Sequence, residues 1–146
     1  MITPSSNRNH LNEDKRVELF HISITYKHTN IDTLFDSGSR ENLISEDLVK
    51  KLGLETHNHP RPYPLGWLNK ETWINVTKQC RLKFAITNNY IDEVNLDVIP
   101  TDICGVVIGS PYLYDSDVVF YRKENKYHLK KDGIEFIVRE QNLKHT

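Results

Sequence analysis

A chain of 146 residues, 38% hydrophobic and 27% charged, is long enough to bury one core and short for two lobes of ordinary size. Its formal charge of −1 supplies no surplus of Lys and Arg with which to grip nucleic acid or an anionic membrane surface, so neither is expected as a partner. No apolar run approaches the roughly 20 residues of a membrane-spanning helix.

Residues 1–15 are rich in Ser, Asn, Pro and charge and read as a flexible N-terminal arm; they lack the apolar stretch of a secretory signal. Residues 139–146 read as a polar tail, which leaves 16–138 as the folded domain. Along 17–26, Phe20, Ile22, Ile24 and Tyr26 recur at period two, the signature of a strand. A turn is expected at 27–30 and a second strand at 31–35. Ser45 is suited to cap a helix with Glu46 and Asp47 in its first turn, Leu48, Val49 and Leu52 on its inner face, and Gly53 as its stop.

Three prolines within 57–64 imply an extended or turning backbone. A hairpin is expected over 67–84, its tip near Asn69-Lys70-Glu71, with Trp73, Ile74 and Val76 in the returning arm. Residues 91–99 alternate through Val94, Leu96 and Val98 as another strand, and Val106-Val107-Ile108-Gly109 is a continuous apolar run suited to a strand buried on both faces. A short helix is expected from Pro111, then strands at 118–121, 126–129 and 134–138, the last two joined by a turn at 131–133. Cys80 and Cys104 form no Cys-x-x-Cys pair and read as reduced core residues, which points to a reducing, cytoplasmic setting rather than secretion.

Asp36-Ser37-Gly38 follows the apolar Leu34-Phe35 and precedes a polar turn into the helix. A carboxylate there leaves a rigid strand end. The glycine allows close approach of backbone, and the serine hydroxyl is able to hold the turn. The tripeptide by itself is an ordinary turn composition. What adds weight is the order of features: strand, Asp-Ser-Gly, helix, hairpin, buried strand with terminal glycine, short helix, strands.

In that order the sequence resembles the retroviral-type (retropepsin-like) aspartic protease family, and most closely the protease segment of plant gypsy-type LTR retrotransposon polyproteins. Leu34-Phe35-Asp36-Ser37-Gly38-Ser39 resembles the family's active-site loop, and Asn42-Leu43-Ile44-Ser45 the entry to its first helix. Leu48-Val49-Lys50-Lys51-Leu52-Gly53-Leu54 is similar to its helix end, and Val106 to Leu113 to its second apolar-apolar-Gly block. Ser39 stands where the family usually has alanine, and Gly105 where it often has aspartate.

The resemblance implies a mainly β, closed barrel-like protomer with one helix after the active-site loop and a second near residue 111. It implies Asp36 as the catalytic carboxylate, Ser37, Gly38 and Ser39 as loop support, and Val107, Ile108 and Gly109 as the buried strand beneath that loop. Trp67, Leu68, Asn69 and Lys70 become candidates for a substrate-contacting flap. Aspartic proteases use two carboxylates, and this chain holds one Asp-Ser-Gly. The partners implied are therefore a second copy of the chain, as a homodimer, and a polypeptide substrate, the parent polyprotein, processed in the cytoplasm or within virus-like particles. Residues 134–138 are a candidate interface strand, because a terminal apolar strand otherwise leaves an open edge. The alternative is a non-catalytic interaction module on the same fold.

No cofactor and no metal is expected. His57-Asn58-His59 lacks a carboxylate or thiolate at ligand spacing, and Asn75-Val76-Thr77 is a glycosylation sequon that a cytoplasmic chain leaves unused.

Overall fold

The computed structural model describes residues 20–67, 69–87, 89–100 and 105–140. The arm at 1–15, positions 17–19 of the expected first strand, Leu68, Cys104 and residues 141–146 of the tail lie outside the described residues.

Strands β1 (Phe20–Tyr26) and β2 (Thr29–Phe35) form an antiparallel hairpin in which Tyr26 faces Thr29. Lys27 takes a left-handed φ of 52° and closes this turn in two residues, so the expected four-residue turn is shorter and Thr29 and Asn30 already belong to β2. Phe20, Ile22 and Ile24 from β1, and Ile31, Thr33 and Phe35 from β2, point into the core.

Strand β3 (Leu43–Ser45) leads directly into α1 (Glu46–Leu52). The Leu48 N–H donates to Ser45 Oγ at 3.2 Å, and Gly53, at φ 68°, donates its N–H to the carbonyls that end the helix. Acidic residues in the first turn and lysines in the last complement the helix dipole. Both ends of this helix sit where Ser45 and Gly53 place them.

The next two strands, β4 (Thr56–Trp67) and β5 (Asn69–Thr87), form one long hairpin. The proline-rich stretch is extended rather than turning and forms part of β4, and the last pair of the hairpin is Trp67 with Asn69, close to the expected tip. Prolines survive there because β4 is the edge of its sheet, where a missing N–H forfeits no ladder bond. The strain of the stretch appears instead as a register slip between Asn58 and Tyr63.

Strand β6 (Tyr90–Ile99) returns along β5, and β7 (Val106–Ile108) fits between β2 and β3. The sheet runs β1-β2-β7-β3-β6-β5-β4, and a β1–β5 bridge at Thr25 and Ala85 closes its first six strands into a barrel. Val106, Val107 and Ile108 are buried, with a strand on either side. Helix α2 (Ser110–Asp115) follows at once.

Strands β8 (Val119–Tyr121), β9 (Lys126–Lys131) and β10 (Ile134–Arg139) form a separate three-stranded sheet. Asp132 and Gly133, at φ 54° and 79°, make the turn expected between the last two. Tyr127 of β9 fixes this sheet to the barrel, its ring edge-on to Phe20 and Phe35 at 4.6 and 5.0 Å. In β10, Ile134 and Ile137 are exposed while Val138 is buried.

Two apolar clusters result. The larger fills the barrel. The smaller lies under the β4–β5 hairpin and joins Leu65, Ile74 and Val76 of that hairpin to Leu43, Ile99 and Val107 of the barrel. Cys80 is fully buried as a free thiol, which burial and then the charge of Asp97 push up to about 11.

Candidate active site

Asp36 is the first residue beyond β2, and its N–H donates to the Ile108 carbonyl at 2.9 Å, prolonging the parallel pairing of β2 with β7 by one bond. The chain then turns back on itself. Gly38 N–H donates to Asp36 Oδ1 at 3.0 Å, and Ser39 N–H to the Asp36 carbonyl at 3.0 Å. A Cβ on Gly38 would meet Asp36 Oδ1 at 3.3 Å, so a side chain there crowds the carboxylate. Ser37 and Gly38 are exposed and Asp36 is half-buried, so the carboxylate stands at the surface on a braced turn.

Ser39 is buried, and its hydroxyl donates to the Glu41 carbonyl at 2.7 Å while accepting the Glu41 N–H at 3.3 Å. The Ser39 carbonyl in turn accepts the Ser110 N–H at 2.8 Å. Gly109 lies in the crossing between these segments. A Cβ added to it would come within 2.4 Å of the Glu41 carbonyl oxygen and 2.7 Å of that of Ser39. Its N–H donates to Asn42 Oδ1 at 2.8 Å. The apolar-apolar-glycine block thus supports the loop by direct backbone contact.

Gly105 has a comparable reason: φ is 128° and a Cβ would sit 2.9 Å from the Asp32 carbonyl oxygen. An aspartate could not occupy this backbone. From below, Tyr127 completes the site; burial, and then the negative charge of Asp36, push its hydroxyl up to about 12.

A model of the PEG10/RTL1 protease domain matches residues 32–125, from β2 through the turn before β9. The chain belongs to that family. No curated protein sequence matches it. Among solved structures, it is similar to the retroviral protease-like domain of Ddi1 from Leishmania major, with a TM-score of 0.60 and 13% identity over 85% of this chain and 94% of that one. It also matches a retropepsin-like aspartic protease from Rickettsia conorii, with a TM-score of 0.49 and 16% identity over 85% and 92%. The first of these likenesses bears on the fold, which is that of a retropepsin-like barrel.

In this PEG10/RTL1-type protease domain the β4–β5 hairpin overlies the strands that carry Asp36. Leu34, two positions before the aspartate, packs on the cluster under the hairpin with Val107. Among the flap candidates, Trp67 pairs with Asn69 at the hairpin end; Leu68 and the side chains of Trp67, Asn69 and Lys70 lie outside what the structure describes. Trp73 is 63% exposed, its ring 3.5 Å from where a Gly66 Cβ would stand.

Sequence reasoning missed one polar cluster. Asp97 of β6 is only 4% exposed; its carboxylate accepts from Tyr63 Oη at 2.6 Å and Gln79 Nε2 at 3.1 Å, and His59 Nε2 lies 3.1 Å from its Oδ1. Glu41, beside the loop, feels this charge, and burial followed by Asp97 raises its carboxyl above 4.5. The signal that could have found the cluster is a carboxylate set between Leu96 and Val98, in a strand whose end is apolar on both faces. His59, unconvincing as a metal ligand, is a partner of that carboxylate, while His57 bonds Gln79 on the exposed side.

Proposed function

We propose that this domain is an aspartic endopeptidase, active as a homodimer in which Asp36 of each protomer faces its twin across a two-fold axis. The observation that carries this reading is the position of Asp36. It is a half-exposed carboxylate on a strand end, locked by Gly38, Ser39 and Ile108, in a chain of a protease-domain family. One such aspartate per chain leaves the second carboxylate to a second copy.

Two carboxylates brought that close cannot both ionise comfortably, so they share one proton and titrate as a unit. The ionised one takes a proton from a water as its oxygen attacks the peptide carbonyl carbon; the protonated one donates to the carbonyl oxygen, where charge develops. The tetrahedral intermediate then breaks its C–N bond as the carboxyl that took the water's proton passes it to the leaving nitrogen, and a hydroxyl of the diol returns its proton to the other carboxylate, restoring the shared-proton pair. The Gly38 N–H keeps one Asp36 oxygen from swinging away, so little reorganisation accompanies the reaction.

The β4–β5 hairpin serves as the flap that closes on substrate and excludes water. The finer affiliation, with gypsy-type retrotransposon polyproteins cut in the cytoplasm, rests on the motif set of the Asp36 loop, the Leu48–Leu54 helix end and the Val106–Leu113 block.

The test is Asp36→Asn, which keeps the size of the side chain and removes its charge. Hydrolysis of an unstructured protein at acid pH is expected to fall by about three orders of magnitude or more, with circular dichroism unchanged. Hydrolysis that survives in the variant sinks the reading. A wild-type protein inert on a broad peptide panel at high concentration also sinks it and assigns the fold a non-catalytic role.

A further inference from the structure

We propose that His59 and Tyr63 are positioning residues that latch the β4–β5 hairpin to the Asp36 loop through Asp97. The proposal deepens the protease reading and rests on it for the hairpin's role as flap. A carboxylate as buried as Asp97 is costly unless its oxygens are met by donors. Here they are met by two, Tyr63 Oη from β4 and Gln79 Nε2 from β5, with His59 Nε2 of β4 3.1 Å from the same carboxylate. Both arms of the hairpin thus reach a carboxylate of β6, Gln79 from the part of β5 that pairs with that strand and Tyr63 from β4 beyond it.

The place of the two β4 donors matters as much as their strength. Between the pairs Asn58–Lys78 and Tyr63–Val76, the β4–β5 ladder advances five residues on one strand (58 to 63) and two on the other (78 to 76). Across that slip the hairpin lacks a regular ladder, and His59 and Tyr63 stand at its two ends. Between them, the Arg61 N–H donates to His59 Nδ1 at 2.9 Å. A ring nitrogen that accepts an N–H carries no proton, so the proton sits on Nε2, facing Asp97. One imidazole thus shapes the Pro60-Arg61-Pro62 segment with one nitrogen and grips the barrel with the other. Its side chain is 11% exposed and that of Asp97 6%, which keeps competing water away.

From Asp97 the path to the active-site loop is short. The Asp97 N–H donates to the Asn42 carbonyl at 2.8 Å, and Asn42 Oδ1 accepts the Gly109 N–H that backs Ser39 and Glu41. A flap that closes on a substrate needs a base fixed relative to the carboxylates, because small misplacements of a clamp cost much of its binding. The latch supplies that fixed base. It reaches the Asp36 loop through Asn42 and Gly109 and not through Asp36 itself, so it acts on substrate binding rather than on the bond-breaking step.

The experiment compares wild type with Tyr63→Phe, His59→Ala and His59→Gln, whose amide nitrogen is able to replace the Nε2 donor. Two readouts are used, steady-state kinetics and amide hydrogen exchange. Tyr63→Phe and His59→Ala are expected to raise KM about tenfold with kcat within about twofold, since each removes a polar neighbour of a buried charge. Exchange at residues 63–66 and 73–76 is expected to speed by a similar factor while strands β1, β2 and β7 stay protected, and His59→Gln restores part of both. Exchange that is unchanged in the hairpin, or that rises equally throughout the barrel, overturns the latch, as does a loss confined to kcat. Should His59→Ala not fold, Tyr63→Phe carries the same decision alone. Should wild type show no hydrolysis, the protease reading fails and exchange alone decides the latch.

Discussion

Glu41 is tied to the Asp36 turn by the Ser39 hydroxyl, which bonds its carbonyl and N–H, and is pushed toward its protonated form by burial first and by Asp97 second. Between its ordinary value of 4.5 and its raised one, the folded chain holds a proton that the unfolded chain has released. Stability contributed by this group is therefore lost as pH rises through that window. Glu41→Gln removes the effect. Unfolding midpoints measured from about pH 4 to 7 are expected to show wild type losing ground to the variant as pH rises; a constant difference contradicts this. At the same scale, Asp36 stood out only through the order of features around it, because Asp-Ser-Gly by itself is an ordinary turn composition. Asp97 did not stand out, because its partner Tyr63 lies 34 positions away and becomes a neighbour only when the hairpin folds over.

At the scale of elements, α1 was legible end to end because caps are local chemistry: a Ser45 hydroxyl and the left-handed Gly53 suffice to place both termini. The prolines of β4 left extended and turning backbone both open, because whether a proline breaks a strand depends on whether the strand is an edge, which sequence does not state. Gly109 illustrates the converse. As a terminal glycine it was visible; its reason, a crossing of the β7–α2 junction over the Asp36 loop, is not. Gly109→Ala puts a methyl carbon into two backbone carbonyls that cannot yield without displacing the loop. Denaturant unfolding is expected to show a loss of about 3 kcal/mol, in the range of overpacked sites, together with falling hydrolysis; a fully stable, fully active variant contradicts the crossing.

For the molecule as a whole, strand positions were largely readable from alternation, whereas closure of the barrel was legible only through the family resemblance. The barrel shuts through Thr25 and Ala85, and the second cluster forms only because the hairpin lies back on Leu43, Ile99 and Val107. Both are contacts between segments far apart in sequence, which no local period encodes. The same holds for the proposed two-fold axis, whose sole trace in the sequence is a missing second aspartate. That absence is open to direct measurement. Wild type and Asp36→Asn are mixed at fixed total concentration, allowed to exchange subunits, and assayed for peptide hydrolysis across the mixing ratio. If two Asp36 residues form one catalytic pair, activity follows the square of the wild-type fraction, so an equal mixture retains about a quarter of it. Activity that falls in simple proportion, leaving about half, would mean that each chain works alone and that the shared dyad does not exist.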